Sequence, residues 1–163
     1  MNQLPAIVFR ENVKPTDIAA VQLLVQSSGF FSQAEIEIAL ELVEEHLMKG
    51  EQSGYSFLFV ESDGQVVAYS CFGRIPGTQS SYDLYWIAVL SDFRSMGIGK
   101  KVLQESEQII SQRGGRRIYV ETSSRDQYAP TRSFYTSNGY GEEARLKDFY
   151  AVGDHKVIYV KAL

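Results

Sequence analysis

Trp86-Ile87-Ala88-Val89-Leu90-Ser91-Asp92-Phe93-Arg94-Ser95-Met96-Gly97-Ile98-Gly99-Lys100-Lys101-Val102-Leu103 is the stretch that decides the fold, because an apolar strand runs there into a glycine-punctuated turn that opens an amphipathic helix. Such an arrangement makes an anion site. Gly97 and Gly99 let the backbone approach a ligand with no Cβ in the way, and the N–H groups of the first helical turn point at whatever sits above them. A phosphate or pyrophosphate fits there, and the helix dipole together with Arg94, Lys100 and Lys101 adds positive potential.

Spacing separates the phosphate-binding readings of this turn. A P-loop places four residues between its first glycine and Gly-Lys-Ser/Thr, whereas a single residue separates Gly97 from Gly99 and Lys100 is followed by Lys101. A dinucleotide fingerprint needs a third glycine three residues after the second, where this chain has Val102. What remains is Arg-x-x-Gly-x-Gly, Arg94 to Gly99, directly after a strand. An ordinary strand-to-helix turn with glycines for tight packing is the plainer alternative, and the turn alone does not exclude it.

The stretch from Asp83 to Arg113 resembles the acetyl-CoA motif of the GNAT superfamily of acyl-CoA-dependent N-acetyltransferases. Arg125 to Tyr140, ending Ser133-Phe134-Tyr135-Thr136-Ser137-Asn138-Gly139-Tyr140, resembles that family's second motif, a short helix and the strand after it. Two motifs in the right order are more specific than either alone, and together they cover the C-terminal half. The resemblance implies an α/β (α+β) fold: a mixed, mostly antiparallel central sheet of about seven strands with four helices on both faces and one splayed strand pair. It also implies a single acetyltransferase domain over residues 1–163.

Composition agrees with one enzyme-sized domain. At 163 residues and 44% apolar, the chain can bury a sizeable core. Sixteen basic against 20 acidic residues give a net charge of −4, so the cations around Arg94 and Lys100 are local features and nucleic acid is not indicated as a partner. One cysteine, Cys71, excludes an intramolecular disulfide and fits a reducing compartment. In its strand-like run it reads as a small core residue rather than a nucleophile. His46 and His155 are the only histidines, so no ligand cluster for a transition metal is expected. No basic segment precedes a long apolar run, and nowhere do 18 apolar residues follow one another, which points to a cytoplasmic chain without a membrane partner.

Periodicity and punctuation predict the elements in order. Ala6 to Arg10 reads as a strand, and Pro15-Thr16-Asp17 leads a helix that stops near Gly29. Ser32 to Glu35 is a capping box opening a second helix that ends before Gly50. Tyr55 to Glu61 and Val66 to Arg74 alternate as strands around Asp63-Gly64, a tight-hairpin dipeptide, and Tyr82 to Val89 is the next strand. A long helix from Gly97 to Arg113 repeats its apolar residues at helical spacing and is closed by Gly114-Gly115. Arg117 to Thr122 is a buried strand and Thr131 to Ser137 a short helix. Tyr140 to Leu146 and Lys156 to Lys161 are the last two strands, joined by a loop from Lys147 to His155.

Acyl transfer asks for a polarised thioester carbonyl, a neutral amine and a stabilised leaving thiolate. By resemblance, the main-chain N–H of Val89 holds the thioester oxygen, and pantetheine lies along the strand, pairing with main-chain groups of Ile87 and Val89. The pyrophosphate is held by Arg94, Ser95, Met96, Gly97, Ile98, Gly99 and Lys100. Tyr135 matches the tyrosine that protonates the thiolate and touches the cofactor, with a reference pKa near 10 that makes the transfer nearly thermoneutral; Phe134 reads as core. Asp83, six residues before Val89, falls where some members place a carboxylate that draws the amine's proton through water, and Glu121 on the neighbouring strand competes for that role.

One departure stands out. Many members carry an asparagine seven residues before the acid tyrosine, where this chain has Tyr128. Tyr128 is a candidate for the cleft wall, and Arg125 or Arg132 for the cofactor's phosphates. The aromatics and carboxylates of Lys147 to His155 suit a cationic amine if that loop walls the acceptor site, as do Phe30, Phe31 and Glu35 across the cleft. The reading is an acetyl-CoA-dependent N-acetyltransferase acting on a primary amine of a small molecule. A protein N-terminal acetyltransferase and a non-enzymatic acyl-CoA sensor are the alternatives. A homodimer is left open, because an exposed edge strand and a core strand look alike in one sequence.

Overall fold

The computed structural model describes residues 5–163. Along the chain run β1 (Val8–Arg10), α1 (Asp17–Ser27), α2 (Gln33–Lys49), β2 (Ser56–Ser62), β3 (Gln65–Arg74), β4 (Ser81–Val89), α3 (Ile98–Gln112), β5 (Arg117–Ser123), α4 (Ala129–Ser137), β6 (Gly141–Ala151) and β7 (Asp154–Ala162). The strands form a seven-stranded sheet in the order β1-β2-β3-β4-β5-β7-β6. The pair β4–β5 is parallel, while β1–β2, β2–β3, β5–β7 and β6–β7 are antiparallel. The expected mixed, mostly antiparallel architecture is therefore present.

The main correction concerns the last connection. Lys147 to Ala151 belong to β6, which leaves Val152 and Gly153 as the turn into β7. A register shift between Leu146 and Ala151 hides this extension from sequence, because it breaks the two-residue alternation by which strands are read.

The residues pack as two units, one running up to Gly73 and including Trp86–Ser106, the other Arg74–Tyr85 with Glu107–Leu163. In the first, the buried carboxylate of Asp17 starts α1. It accepts from both terminal nitrogens of Arg10, at 2.8 and 2.9 Å, and from the Lys14 N–H at 2.7 Å. Arg10 also reaches Glu61 at 2.9 Å and lies 4.6 Å from the Phe59 ring, which ties β1, β2 and α1 together. The capping box of α2 forms as read: Ser32 Oγ accepts from the Glu35 N–H, and Glu35 Oε2 from the Ser32 N–H. Asp63 and Gly64 both have positive φ, 49° and 78°, as a tight β2–β3 hairpin requires.

Strand alternation then sorts β3 onto two faces. Tyr69 stacks with Phe57 and Phe59 on the side where His46 of α2 meets Phe57, while Ser70 shares a buried 2.7 Å hydrogen bond with Ser106 of α3. Helices thus cover both faces of this unit. Cys71 is fully buried, as expected of a core residue.

In the second unit, Gly115 closes the α3–β5 turn where a side chain has no room: a Cβ there would lie 2.3 Å from Ile110 Cγ2 and 2.9 Å from the Tyr82 ring. The ladder between β4 and β5 joins Ser81, Tyr82 and Asp83 to Arg117, Ile118 and Tyr119, the first three residues of each strand. Within this unit the ladder stops there, although Leu84 and Tyr85 follow in β4 and Val120 to Ser123 in β5.

Candidate active site

Two residues in the turn before α3 have left-handed backbone, Ser95 at φ 61° and Gly97 at φ 76°. Alternating the backbone hand in this way turns successive N–H groups to one side, the geometry of an anion nest. The turn's internal hydrogen bonds run from the Arg94 N–H to Ser91 O and resume with the Lys101 N–H to Gly97 O. Among the described residues, no hydrogen bond uses the main-chain N–H of any residue from Ser95 to Lys100. Arg94, Ser95, Met96, Gly97 and Lys100 are exposed, so these donors are not roofed by their own side chains. Ile98 differs: its side chain is buried and anchors the helix start in the core.

The charges agree. Helices α1 and α2 each carry an acid in the first turn, as the helix dipole favours, whereas α3 has none and carries Lys100 there instead. A cation at that end is unfavourable for a helix alone and is offset by a bound anion. Arg94 Nε donates to Val89 O at 3.2 Å, tying the turn back to the end of β4. The Val89 carbonyl therefore enters any pairing with a ligand through its second lone pair. Ile87 and Val89 are half-buried.

The register of the second unit gathers the candidate bases on one face. Asp83 stands directly opposite Tyr119, two residues before Glu121, and Glu121 stands opposite Ile158, two residues after Lys156. Tyr82, Ile118, Val120, Val157 and Tyr159, on the other face, are all buried, while Asp83, Tyr119, Ile158 and Lys156 are half-buried and Glu121 exposed. Lys156 Nζ meets Glu121 Oε2 at 2.8 Å and lies 3.9 Å from the centre of the Phe149 ring. Burial first, and then the negative charge of Glu121, push the Asp83 carboxyl above its ordinary range; Lys156 pulls it back. The two competing carboxylates are thus distinguished: Glu121 is held in an ion pair, and Asp83 is left as the group whose proton affinity is raised.

Tyr135 occupies the buried position of the Phe-Tyr pair, with only 5% of its surface exposed, and Phe134 is half-buried; the reverse assignment of Phe134 to the core is corrected. Its ring meets Tyr140 edge-on at 5.4 Å. Tyr140 in turn donates to Glu107, which also accepts from Lys161 at 2.9 and 3.0 Å. Burial pushes the Tyr135 phenol well above its ordinary pKa, so the expected thermoneutral match to a thiol does not hold in this state. The phenol stays protonated at every physiological pH.

Arg132 Nη1 donates to the carbonyls of Ser123 and Arg125 at 2.7 and 2.8 Å, and Arg125 Nε meets Asp154 at 3.3 Å, contacts that organise the loop before α4. Glu35 is consumed by its capping box, and Phe31 stands edge-on to Trp86 at 6.1 Å. Lys156 was not singled out by sequence, because only the β5–β7 pairing brings it beside Glu121. No described helix is long and apolar enough to cross a membrane, and among the described residues no three His, Cys, Asp or Glu gather as metal ligands.

Known proteins agree with this geometry. The Acetyltransferase (GNAT) family model matches residues 21–140. A crystal structure of a chain from Desulfovibrio desulfuricans assigned to that family of acetyltransferases superposes with a TM-score of 0.95 at 44% identity, over 96% of this chain and 99% of the other. An N-alpha-acetyltransferase of Sulfurisphaera tokodaii is 29% identical over 120 residues, 68% of this chain and 69% of that protein. The PaiA N-acetyltransferase of Thermoplasma acidophilum, solved in complex with coenzyme A, shares the fold, with a TM-score of 0.74 at 19% identity over 97% of this chain and 99% of that one. Matched by that family model over most of its length and by the Desulfovibrio structure over nearly all of it, this chain belongs to the GNAT family and is an acyl-CoA-dependent acetyltransferase.

Proposed function

We propose that the enzyme, acting as one catalytic domain in the cytoplasm, moves acetyl from acetyl-CoA to a primary amine of a small molecule by direct attack. The observation that carries the cosubstrate is the run of unused main-chain donors from Ser95 to Lys100, set among Arg94, Lys100 and Lys101. Those N–H groups take the diphosphate, and the main chain at Ile87 and Val89 takes pantetheine as an added strand. The Val89 N–H supports the thioester oxygen as it gains charge. The amine nitrogen attacks the carbonyl carbon, the C–S bond breaks, and the amine's surplus proton passes through water to Asp83. Tyr135, held neutral by burial, donates a hydrogen bond from its hydroxyl to the leaving thiolate, which takes its proton from solvent. The Asp83 carboxylate on the open face of its sheet suits an alkylammonium substrate.

A second reading, acetylation of peptide N-termini, is favoured by the naming of the Sulfurisphaera tokodaii relative. One assay separates the two: thiol release from acetyl-CoA against a panel of polyamines, amino acids, aminoglycosides and peptides. Turnover on a small amine supports the proposal, and turnover confined to peptides supports the second reading. Coenzyme binding without thiol release across the panel defeats both.

A further inference from the structure

The open face of the second unit carries more charge chemistry than a single base needs. Asp83 faces Tyr119 and Glu121 of β5, with Lys156 of β7 beyond them and Tyr85 two positions along its own strand. Lys156 is confined from two sides, by the Glu121 carboxylate at 2.8 Å and by the Phe149 ring of β6 at 3.9 Å, and its side chain is only 14% exposed. The neighbouring His155 and Asp148 are occupied with each other at 3.6 Å. An exposed lysine-glutamate pair is usually a loose surface contact worth little. This one is half-buried at the lysine end and clamped by an aromatic face, so its charge is fixed in position.

We infer that Lys156 is a positioning residue for the proton acceptor: held between Glu121 and Phe149, its ammonium cancels the Glu121 charge on the open face, so that Asp83 ionises and takes the acceptor amine's proton near neutral pH. The inference rests on the acetyltransferase reading and deepens it. Electrostatics support it in direction, since Glu121 raises the proton affinity of Asp83 while Lys156 lowers it. Without Lys156, two carboxylates, Asp83 and the diagonally placed Glu121, would share that face with no cation between them. Asp83 would then hold its proton to higher pH and be unavailable as a base on the acid side of neutrality. Lys156 touches no reacting atom in this scheme; it acts through Asp83.

The test reads Asp83 directly. Its side-chain carboxyl carbon, assigned with Asp83→Asn, is titrated by NMR in the wild-type chain, Lys156→Met, Lys156→Arg, Glu121→Gln and the Glu121→Gln/Lys156→Met double variant. Lys156→Met raises the midpoint, Lys156→Arg leaves it near wild type, Glu121→Gln lowers it, and the double variant returns it toward wild type. The acid limb of kcat/KM follows the same order, with Lys156→Met losing about three- to tenfold near pH 6 and little on the alkaline side. A midpoint unmoved by Lys156→Met, or raised equally with and without Glu121, overturns the inference. So does a midpoint that moves while the acid limb stays put. Should Lys156→Met fail to fold, Glu121→Gln keeps the question answerable, because an unmoved midpoint there contradicts the charge balance. Failure of the acetyltransferase reading is seen separately, as absence of thiol release by the wild-type enzyme, which the carboxyl titration does not involve.

Discussion

Ser95 and Gly97, two positions apart, share the left-handed backbone region, yet only one of them is a glycine. A side chain in that region costs about 1 kcal/mol, so Ser95 stores strain in the turn that presents the unused N–H groups. Ser95→Gly is expected to raise stability by about 0.5–1 kcal/mol in chemical unfolding, less what is lost through a more flexible unfolded chain. Gly97→Ala should lower it by about 1 kcal/mol through backbone strain alone, because nothing lies within 4 Å of the added Cβ. Calorimetry with coenzyme A should show weaker binding for the alanine variant.

Tyr135→Phe removes the hydroxyl and keeps the ring packed against Tyr140. The expected outcome is a fall in kcat of about 10²-fold with the KM for acetyl-CoA changed little, as for a group that acts in the transition state. Stopped-flow detection of thiol release checks this. Equal loss in binding and rate would instead mark Tyr135 as packing.

The pH dependence of stability carries a definite sign at Asp83. Its native proton affinity is raised, so its favourable contribution is complete below the ordinary value of 3.8 and is lost as pH rises through the native value. Asp83→Asn, which mimics the protonated state, should therefore be more stable than wild type at pH 7. That advantage should shrink as pH falls and vanish below about pH 4. Thermal unfolding of both proteins between pH 3 and 8 tests it, and an advantage growing toward acid would contradict the assignment.

Gly115→Ala should cost about 1–3 kcal/mol, because its Cβ would overlap Ile110 on one side and Tyr82 on the other. Ile110→Ala in the same chain removes the Cγ2 that the added Cβ meets and should recover part of that loss, a coupling that a double-mutant cycle measures.

How much of this was legible in the sequence depended on range. The capping box at Ser32–Glu35, the Asp63-Gly64 hairpin and the glycine close of α3 are local chemistry, and each formed where the residues predicted. The glycine turn before α3 was legible for the same reason. What escaped reading was set by pairing between distant strands: the β5–β7 register that brings Lys156 to Glu121, and the irregular β6 that turns an apparent loop into strand. The burial of Tyr135 rather than Phe134 likewise depends on which side of a short helix meets Tyr140, and nine residues carry too little pattern to fix that.

Strand β6 ends the sheet and is exposed along almost all of its eleven residues. A bare edge of that length is a template on which foreign chains can grow as fibrils. Glu142, Glu143, Arg145, Lys147 and Asp148 break the strand at nearly every step, so no six-residue window within it is free of charge. The same edge that leaves Phe149 free to cover Lys156 is thereby kept soluble by its own ionic punctuation.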